Sequence, residues 1–389
     1  MLYCRNICRR ILPLLWAVVL VFAMMGCSKP SVQPQPTATA EPQELKLTFV
    51  NVGHGDCIVI QIQGRTLVVD TGKEEDFPEI ARYLMDQKIE TIDTVFITHS
   101  HKDHIGGLRN LAKTFSIKHV IIGSAAIDYN GVFEKVGAPV RAVEVGDVLT
   151  FGGLSLEVLH PERGASYQKE NDRSLTMRGE FQDFSFMLTG DIENVSQKDI
   201  VEAEVLKPVT VMKVPNHGDI DAFYAPFYME TRPQFAVFTC EEEEPPAARM
   251  IGEHVPTQIP LASTGTYQMI YKDGELTHSA YTYPVPEGES PRVAVIHVDA
   301  KKEEVVLENQ SGKAVSLYGW HLQSSRGLEI YYFTEDVTLE AGQRLSIVSG
   351  KDMPEGDIRW SEKNIINKKN DIITLYDTHN RPISMKQPD

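Results

Sequence analysis

The chain has 389 residues, 42% of them apolar, and a net charge of −16. That length asks for more than one domain, and that apolar share excludes a disordered chain. The charge excludes a basic nucleic-acid-binding body: residues 44–285 hold 21 basic and 36 acidic side chains, and residues 292–389 hold 13 and 15, whereas phosphate affinity rests on clustered Lys and Arg.

Arg5, Arg9 and Arg10 form a basic start, followed by an apolar run from Ile11 to Met25. The run is short for a membrane span and right for the apolar core of an export signal. It ends at Met24-Met25-Gly26-Cys27, which resembles a bacterial lipobox with Cys27 as the lipidated residue, although Met24 stands where Leu is usual. The other readings are a plain secretory signal and an uncleaved anchor helix. All three place the remainder outside the cytoplasm, and the lipobox makes it a membrane-anchored lipoprotein. Residues 28–43 are rich in Pro, Gln and Thr and read as a disordered tether. Of the cysteines left after cleavage, Cys57 and Cys240 are expected as unrelated buried thiols rather than a disulfide.

Residues 45–50 alternate like a half-buried strand, and Cys57–Ile62 and Thr66–Val69 read as two more. Phe77–Lys88 has helical spacing at Ile80, Tyr83 and Leu84, and Thr94–Ile97 is an apolar strand. Directly after it comes Thr98-His99-Ser100-His101-Lys102-Asp103-His104. A strand rises only about 3.3 Å per residue, so these imidazoles and the carboxylate crowd one small volume. They are the ligand types of zinc, manganese or iron. Asp103 and His104, being adjacent, face a different point from His99 and His101, and the spacing points to two ions. A lone His is more often core or surface filler, but four such residues in this order are not. This HxHxDH run resembles the signature of the metallo-β-lactamase superfamily.

Further along, a helix is expected over about 106–115 and strands at Val120–Ile122, Ser155–Leu159, Ser174–Arg178, Phe184–Leu188, Val209–Val214 and Ala236–Phe238. Strands interleaved with helices fit a sheet sandwich flanked by helices. The resemblance implies an αββα architecture for residues 44–283. Residues 284–292 read as a Pro-containing linker. Beyond it the helix signal disappears, and short strands between turns over 293–389 suggest an all-β sandwich. The stretches Val305-Val306-Leu307-Glu308-Asn309, Leu317-Tyr318-Gly319-Trp320-His321-Leu322, Leu339-Glu340-Ala341-Gly342-Gln343 and residues 370–377 resemble a lamin-tail domain, which is immunoglobulin-like. Trp320 is expected in its core, and His321 and His379 on its surface.

Other strand-end groups complete the candidate site. Val68-Val69-Asp70-Thr71-Gly72 and Leu188-Thr189-Gly190-Asp191 each end an apolar strand on a carboxylate, and Lys213-Val214-Pro215-Asn216-His217-Gly218 ends one on an imidazole. Alone, Asp70 would read as a turn or helix-cap residue. The superfamily resemblance implies that Asp70 orients a ligand histidine, that Asp191 bridges two ions and that His217 binds the second. Together with Val52-Gly53-His54-Gly55-Asp56, Asn171-Asp172-Arg173, Ser263-Thr264-Gly265-Thr266-Tyr267 and Lys272-Asp273-Gly274, the set resembles the soluble domain of the DNA-uptake competence family ComEC, over about 45–280. Two departures stand out. Asn216 replaces the first of two histidines, and no His occupies the region of Asn171. His160, in Leu159-His160-Pro161, reads equally as a loop residue and as a ligand.

The expected metal ligands are thus His99, His101, Asp103, His104, Asp191 and His217, holding one or two divalent ions, Zn²⁺ or Mn²⁺. Asp103 and Asp70 are the catalytic candidates, and Asn171, Asn216 and His54 the substrate-binding ones. Lys102, Lys213 and Arg173 are positioned to meet phosphate, but solvated surface charge is the more ordinary role for each. The resulting expectation is a membrane-anchored, extracytoplasmic phosphodiesterase acting on nucleic acid or nucleotides. In this reading the C-terminal sandwich docks a surface or a protein partner. The alternatives are an ester or lactam hydrolase on the same metals, and a non-catalytic module that binds DNA or a surface.

Overall fold

The computed structural model describes residues 44–126, 131–284, 292–326, 329–351, 356–367 and 371–389. Cys27, the rest of the export signal, the expected tether and linker residues 285–291 lie outside the described residues.

Two sheets form the N-terminal layers. The first runs in the order Glu275–Ala280, Tyr267–Lys272, Glu44–Phe49, Ile58–Ile62, Arg65–Val69, Thr94–Ile97, Val120–Gly123, Val140–Val143. The second runs Thr257–Pro260, Phe235–Phe238, Val211–Lys213, Phe184–Leu188, Thr176–Phe181, Leu154–His160, Val148–Phe151. Each sheet has an antiparallel half and a parallel half. In the first, Arg65–Val69, Thr94–Ile97, Val120–Gly123 and Val140–Val143 are parallel neighbours. In the second, the parallel set is Phe184–Leu188, Val211–Lys213, Phe235–Phe238 and Thr257–Pro260. The continuously buried runs Thr94–Ile97 and Val211–Lys213 are what central parallel strands require, because both faces are covered.

Between the sheets lies one apolar core, with Leu47, Phe49, Ile60, Phe96, Leu156, Phe184, Phe186 and Met269 all buried. The outer face of the first sheet is covered by the helix Phe77–Asp86, which starts with Pro78 in its first turn, where a missing N–H costs nothing. It buries Phe77, Ile80, Ala81, Tyr83, Leu84 and Met85, and its larger apolar side chains are each worth about 1.5–3 kcal/mol of burial. The helix expected over about 106–115 is present as Leu108–Thr114. A single turn, Lys102–Ile105, precedes Leu108–Thr114. Strands at 140–143, 148–151, 257–260 and 267–280 were not legible in the sequence. The last of these is a hairpin that returns to pair with the first strand, Leu47 opposite Met269.

The C-terminal part is a β-sandwich of two four-stranded sheets. One holds Val293–Asp299, Glu304–Asn309, Arg344–Ser349 and Ile358–Ser361; the other holds Ile330–Tyr332, His321–Ser324, Ile373–Tyr376 and Pro382–Lys386. Trp320 is buried in its core beside Leu307, Leu322, Ile347 and Leu375. Two of the stretches singled out from sequence meet at Asn309. Its amide donates to Lys313 O at 2.7 Å and Leu339 O at 2.9 Å, while its backbone exchanges hydrogen bonds with Gly342 and Gln343.

The expected surface position of His321 is corrected by the structure. Its side chain is buried, stacked on Tyr376 with centroids 4.6 Å apart, and burial pushes its pKa down to about 3. His379 is half-buried and its Nε2 donates to Pro284 O at 2.8 Å. A neutral buried His321 binds fewer protons than the same residue in the unfolded chain, with its ordinary value of 6.5. The stability it permits is therefore complete above about pH 6.5 and is lost progressively as pH falls toward 3, at up to about 1.4 kcal/mol per pH unit. Urea unfolding of the sandwich at pH 7.5 and 5 is expected to show this loss, and His321→Phe to reduce it.

The sandwich packs on the helical face of the N-terminal part. Tyr332 meets Phe77 edge-on at 5.5 Å, Asn380 Nδ2 donates to Glu79 Oε1 at 2.8 Å, and Lys113 pairs with Glu329 at 3.0 Å. These contacts run through Phe77–Asp86 and Leu108–Thr114.

Candidate metal centre

The groups that matter sit at the C-terminal ends of parallel strands, from both sheets. The first sheet delivers Asp70 and the loop 98–104, and the second delivers Asp191, His217 and Thr239. Side chains that leave adjacent strands at one edge are forced into a common crevice, the usual place for a site in open α/β sheets.

Asp70 comes first because it fixes the rest. Its φ of 59° turns the chain out of the strand. Its carboxylate accepts from Thr98 N at 2.8 Å, from the Thr98 hydroxyl at 2.7 Å and from His104 Nδ1 at 2.8 Å. Those bonds pin the start of the ligand loop and place the His104 proton on Nδ1, so Nε2 presents a lone pair. Thr239 holds the ring of His217, whose Nδ1 lies 2.9 Å from the threonine hydroxyl. Asp70 is fully buried behind His104. Its place among the catalytic candidates is therefore corrected: it is a positioning residue.

The two Nε2 atoms converge on Asp191. Its Oδ2 is 3.0 Å from His104 Nε2, 3.1 Å from His217 Nε2 and 3.9 Å from His99 Nε2. His104 and His217 face each other at 3.3 Å between Nε2 atoms, and Asp103 Oδ2 lies 3.4 Å from His217 Nε2. Asp103, His104, Asp191 and His217 thus offer four donor atoms within 4.8 Å of one another, and His99, His101 and Asp191 offer three. Asp191 belongs to both groups. The six side chains expected as ligands are brought together in two sets that share one carboxylate.

This donor set fits divalent metal. Two imidazole lone pairs aimed at each other across 3.3 Å repel unless a cation or a proton lies between them. Without a cation, a proton on one Nε2 would relieve that repulsion. Burial opposes charge on His104, but Asp191 and Asp70 outweigh it and raise its pKa well above the ordinary value. His217 is raised in the same way, against burial, by Asp191. For His99 burial wins, aided by His104, and its pKa falls well below 6.5. On Asp103 and Asp191 the neighbouring imidazoles overcome burial and hold both carboxyls below the usual range. Nitrogen and oxygen donors of this kind suit zinc or manganese.

Two glycines allow the close approach. Gly55 has φ 153°, and a Cβ there would lie 2.6 Å from Asp103 O; Gly190 has φ 53°, and a Cβ would lie 2.7 Å from Ser174 Cβ.

The substrate-side candidates divide. His54 stands at the edge of the cluster, half-exposed, its ring 4.3 Å from that of His217 and its Nε2 3.7 Å from Asp103 Oδ2. Asn171 Nδ2 donates to Glu193 Oε1 at 3.0 Å, and its Oδ1 has no hydrogen-bond partner. Asn216 has φ 45° and ψ 49°, a left-handed turn that Asn tolerates better than most residues, and it swings His217 onto Asp191. His160 is buried and its Nε2 donates to Asp172 O at 2.8 Å, so it belongs to neither donor set. Arg173 is held by Tyr167 O at 2.6 Å and by Glu170 at 3.2 Å.

Lys213 is corrected most sharply. It is fully buried, with Nζ 2.9 Å from Asp56 Oδ2 and 3.0 Å from Asp191 Oδ1, so it serves neither as surface charge nor as a phosphate contact.

Comparisons with known proteins bear on the family of each part. Residues 50–227 match the metallo-beta-lactamase superfamily and residues 286–387 the lamin tail domain. The chain carries a metallo-beta-lactamase superfamily domain followed by a lamin tail domain. ComE operon protein 3 of Bacillus subtilis (strain 168) is 25% identical over 270 residues, which is 61% of this chain and 34% of that protein. The chain therefore spans well under half the length of that relative. A metal-dependent hydrolase of Anoxybacillus flavithermus is 25% identical over 189 residues, 47% of this chain and 73% of that one. Among solved structures, the metallo-beta-lactamase fold protein YhfI of Bacillus subtilis aligns with a TM-score of 0.42 at 13% identity, over 61% of this chain and all of that one.

Within the metallo-beta-lactamase domain, sequence reasoning passed over Thr239 and Glu170 and gave Asp56 and Thr98, quoted within motifs, no role of their own. Glu170 accepts from Ser100 N at 3.2 Å and from the Ser100 hydroxyl, bracing the loop between His99 and His101. The one available signal was Asp56, a carboxylate between a Gly-His-Gly turn and a buried strand.

Proposed function

We propose that this protein is a metal-dependent phosphodiesterase acting on nucleic acid or nucleotides, held outside the cytoplasm by a lipid on Cys27. The observation that carries the reading is Asp191 Oδ2, shared between the His104/His217 and His99/His101 groups. Two divalent ions in such a site make a nucleophile of water at neutral pH and neutralise charge developing on a phosphoryl oxygen. Around that chemistry, Asp70 and Thr239 hold two imidazoles in register, and Asp103 is the half-buried carboxylate beside both His217 and the opening where His54 stands. The competence-type order of motifs favours a phosphodiester over an ester or lactam. The exposed run Glu241–Glu244 begins beside Gly53, so nucleotides or a single strand suit the entrance better than a duplex. In this reading the lamin tail domain docks a surface or a protein partner.

The test is a substrate panel offered to protein loaded with Mn²⁺ or Zn²⁺: single- and double-stranded DNA, bis(p-nitrophenyl) phosphate, an aryl ester and a β-lactam. Phosphodiester cleavage that needs metal and disappears in Asp103→Ala is expected. Turnover of the ester or lactam alone would refute the phosphodiesterase reading.

A further inference from the structure

Lys213 is a buried ammonium with every proton used. Nζ donates to Gly190 O at 2.9 Å and pairs with Asp56 Oδ2 at 2.9 Å and Asp191 Oδ1 at 3.0 Å. Its strand lies between Phe184–Leu188 and Phe235–Phe238, with Lys213 opposite Val237, so the side chain has no route to water. A buried lysine is costly and is retained only where its partners repay it. Here the partner is the carboxylate that both donor sets share. With Oδ1 taken by Lys213, Asp191 can meet ions only through Oδ2. A fixed positive charge so near also opposes each cation that enters. The opposition matters most for the three-donor set of His99, His101 and Asp191, since His101 is exposed.

We infer that Lys213 is a positioning cation that restricts Asp191 to a single bridging oxygen and weakens the binding of the second divalent ion, with Asp56 as its counter-charge. This rests on the metal-site reading above. The consequence is graded occupancy: one ion bound tightly by Asp103, His104, Asp191 and His217, and a second bound weakly enough for its supply to set the fraction of competent protein.

Charge arithmetic gives the test. Lys213→Met removes one positive charge, Asp56→Asn removes one negative charge, and the double variant leaves the local balance unchanged. Mn²⁺ is titrated into the full chain by calorimetry, and the weaker binding step is read. The inference predicts that this step tightens by about tenfold or more in Lys213→Met, weakens by about tenfold or more in Asp56→Asn, and returns to the original value in the double variant. If Lys213 only held Asp191 in place, both proteins lacking it would bind Mn²⁺ more weakly than the original, which would overturn the inference. Should Lys213→Met not fold, the remaining pair still decides, because the inference requires the double variant to bind more tightly than Asp56→Asn. A protein that binds no Mn²⁺ in either step loses the metal reading as a whole. Binding in both steps with the wrong ranking loses only the role of Lys213.

Discussion

Asp191→Asn should empty both halves of the site of metal and lower hydrolysis by a factor of about a thousand or more, since a divalent ion supplies several kcal/mol of transition-state stabilisation. The geometry makes this substitution unusually severe for an isostere. Oδ1 accepts from Lys213 and Oδ2 faces His104 and His217. An amide must turn its NH₂ toward one of them, either against a buried ammonium or into the space that the ions need. The change also leaves Lys213 with Asp56 as its one remaining carboxylate. Metal content by mass spectrometry and bis(p-nitrophenyl) phosphate hydrolysis, measured on the same preparation, check both parts of the prediction.

Asp70→Asn should weaken metal binding by about 10- to 100-fold while leaving the fold intact. Asn tolerates the φ of 59° that Ala would resist. Its amide oxygen can still accept from Thr98 N, but its NH₂ then faces His104 Nδ1, where the carboxylate had offered an accepting oxygen. The imidazole then becomes a poorer donor rather than a displaced one. Activity should accordingly be recovered by excess metal, with the maximal rate little changed. A maximal rate that stays depressed at saturating metal would show that Asp70 acts on the reaction itself.

The parts legible in the sequence were those where one residue type sits at the end of one apolar run. His99, His101, Asp103 and His104 follow Thr94–Ile97, and Asp70 and Asp191 each follow a buried strand, so local pattern and topology agree. Trp320 in the sandwich core was legible for the same reason: a large ring amid short alternating strands has nowhere else to go. What the sequence did not show was burial of charge. Lys213 stands in Val-Met-Lys-Val, and nothing in that string reveals that Asp56, 157 positions earlier, waits beside it. His321 failed similarly, because its cover comes from Tyr376 and Tyr332 on neighbouring strands. The hairpin Tyr267–Lys272 and Glu275–Ala280 was seen as a motif but not as two strands. Its outer strand is largely exposed, so it carries no hydrophobic alternation to read.

If Asp191 joins two ion sites, a count of ions per chain will show it. Equilibrium dialysis against Mn²⁺, followed by elemental analysis, should find two ions per chain in the original protein at saturation. It should find one in His101→Ala and none in Asp191→Asn. An original protein that holds no ion, or a His101→Ala protein that still holds two, would show that Asp191 joins no such pair.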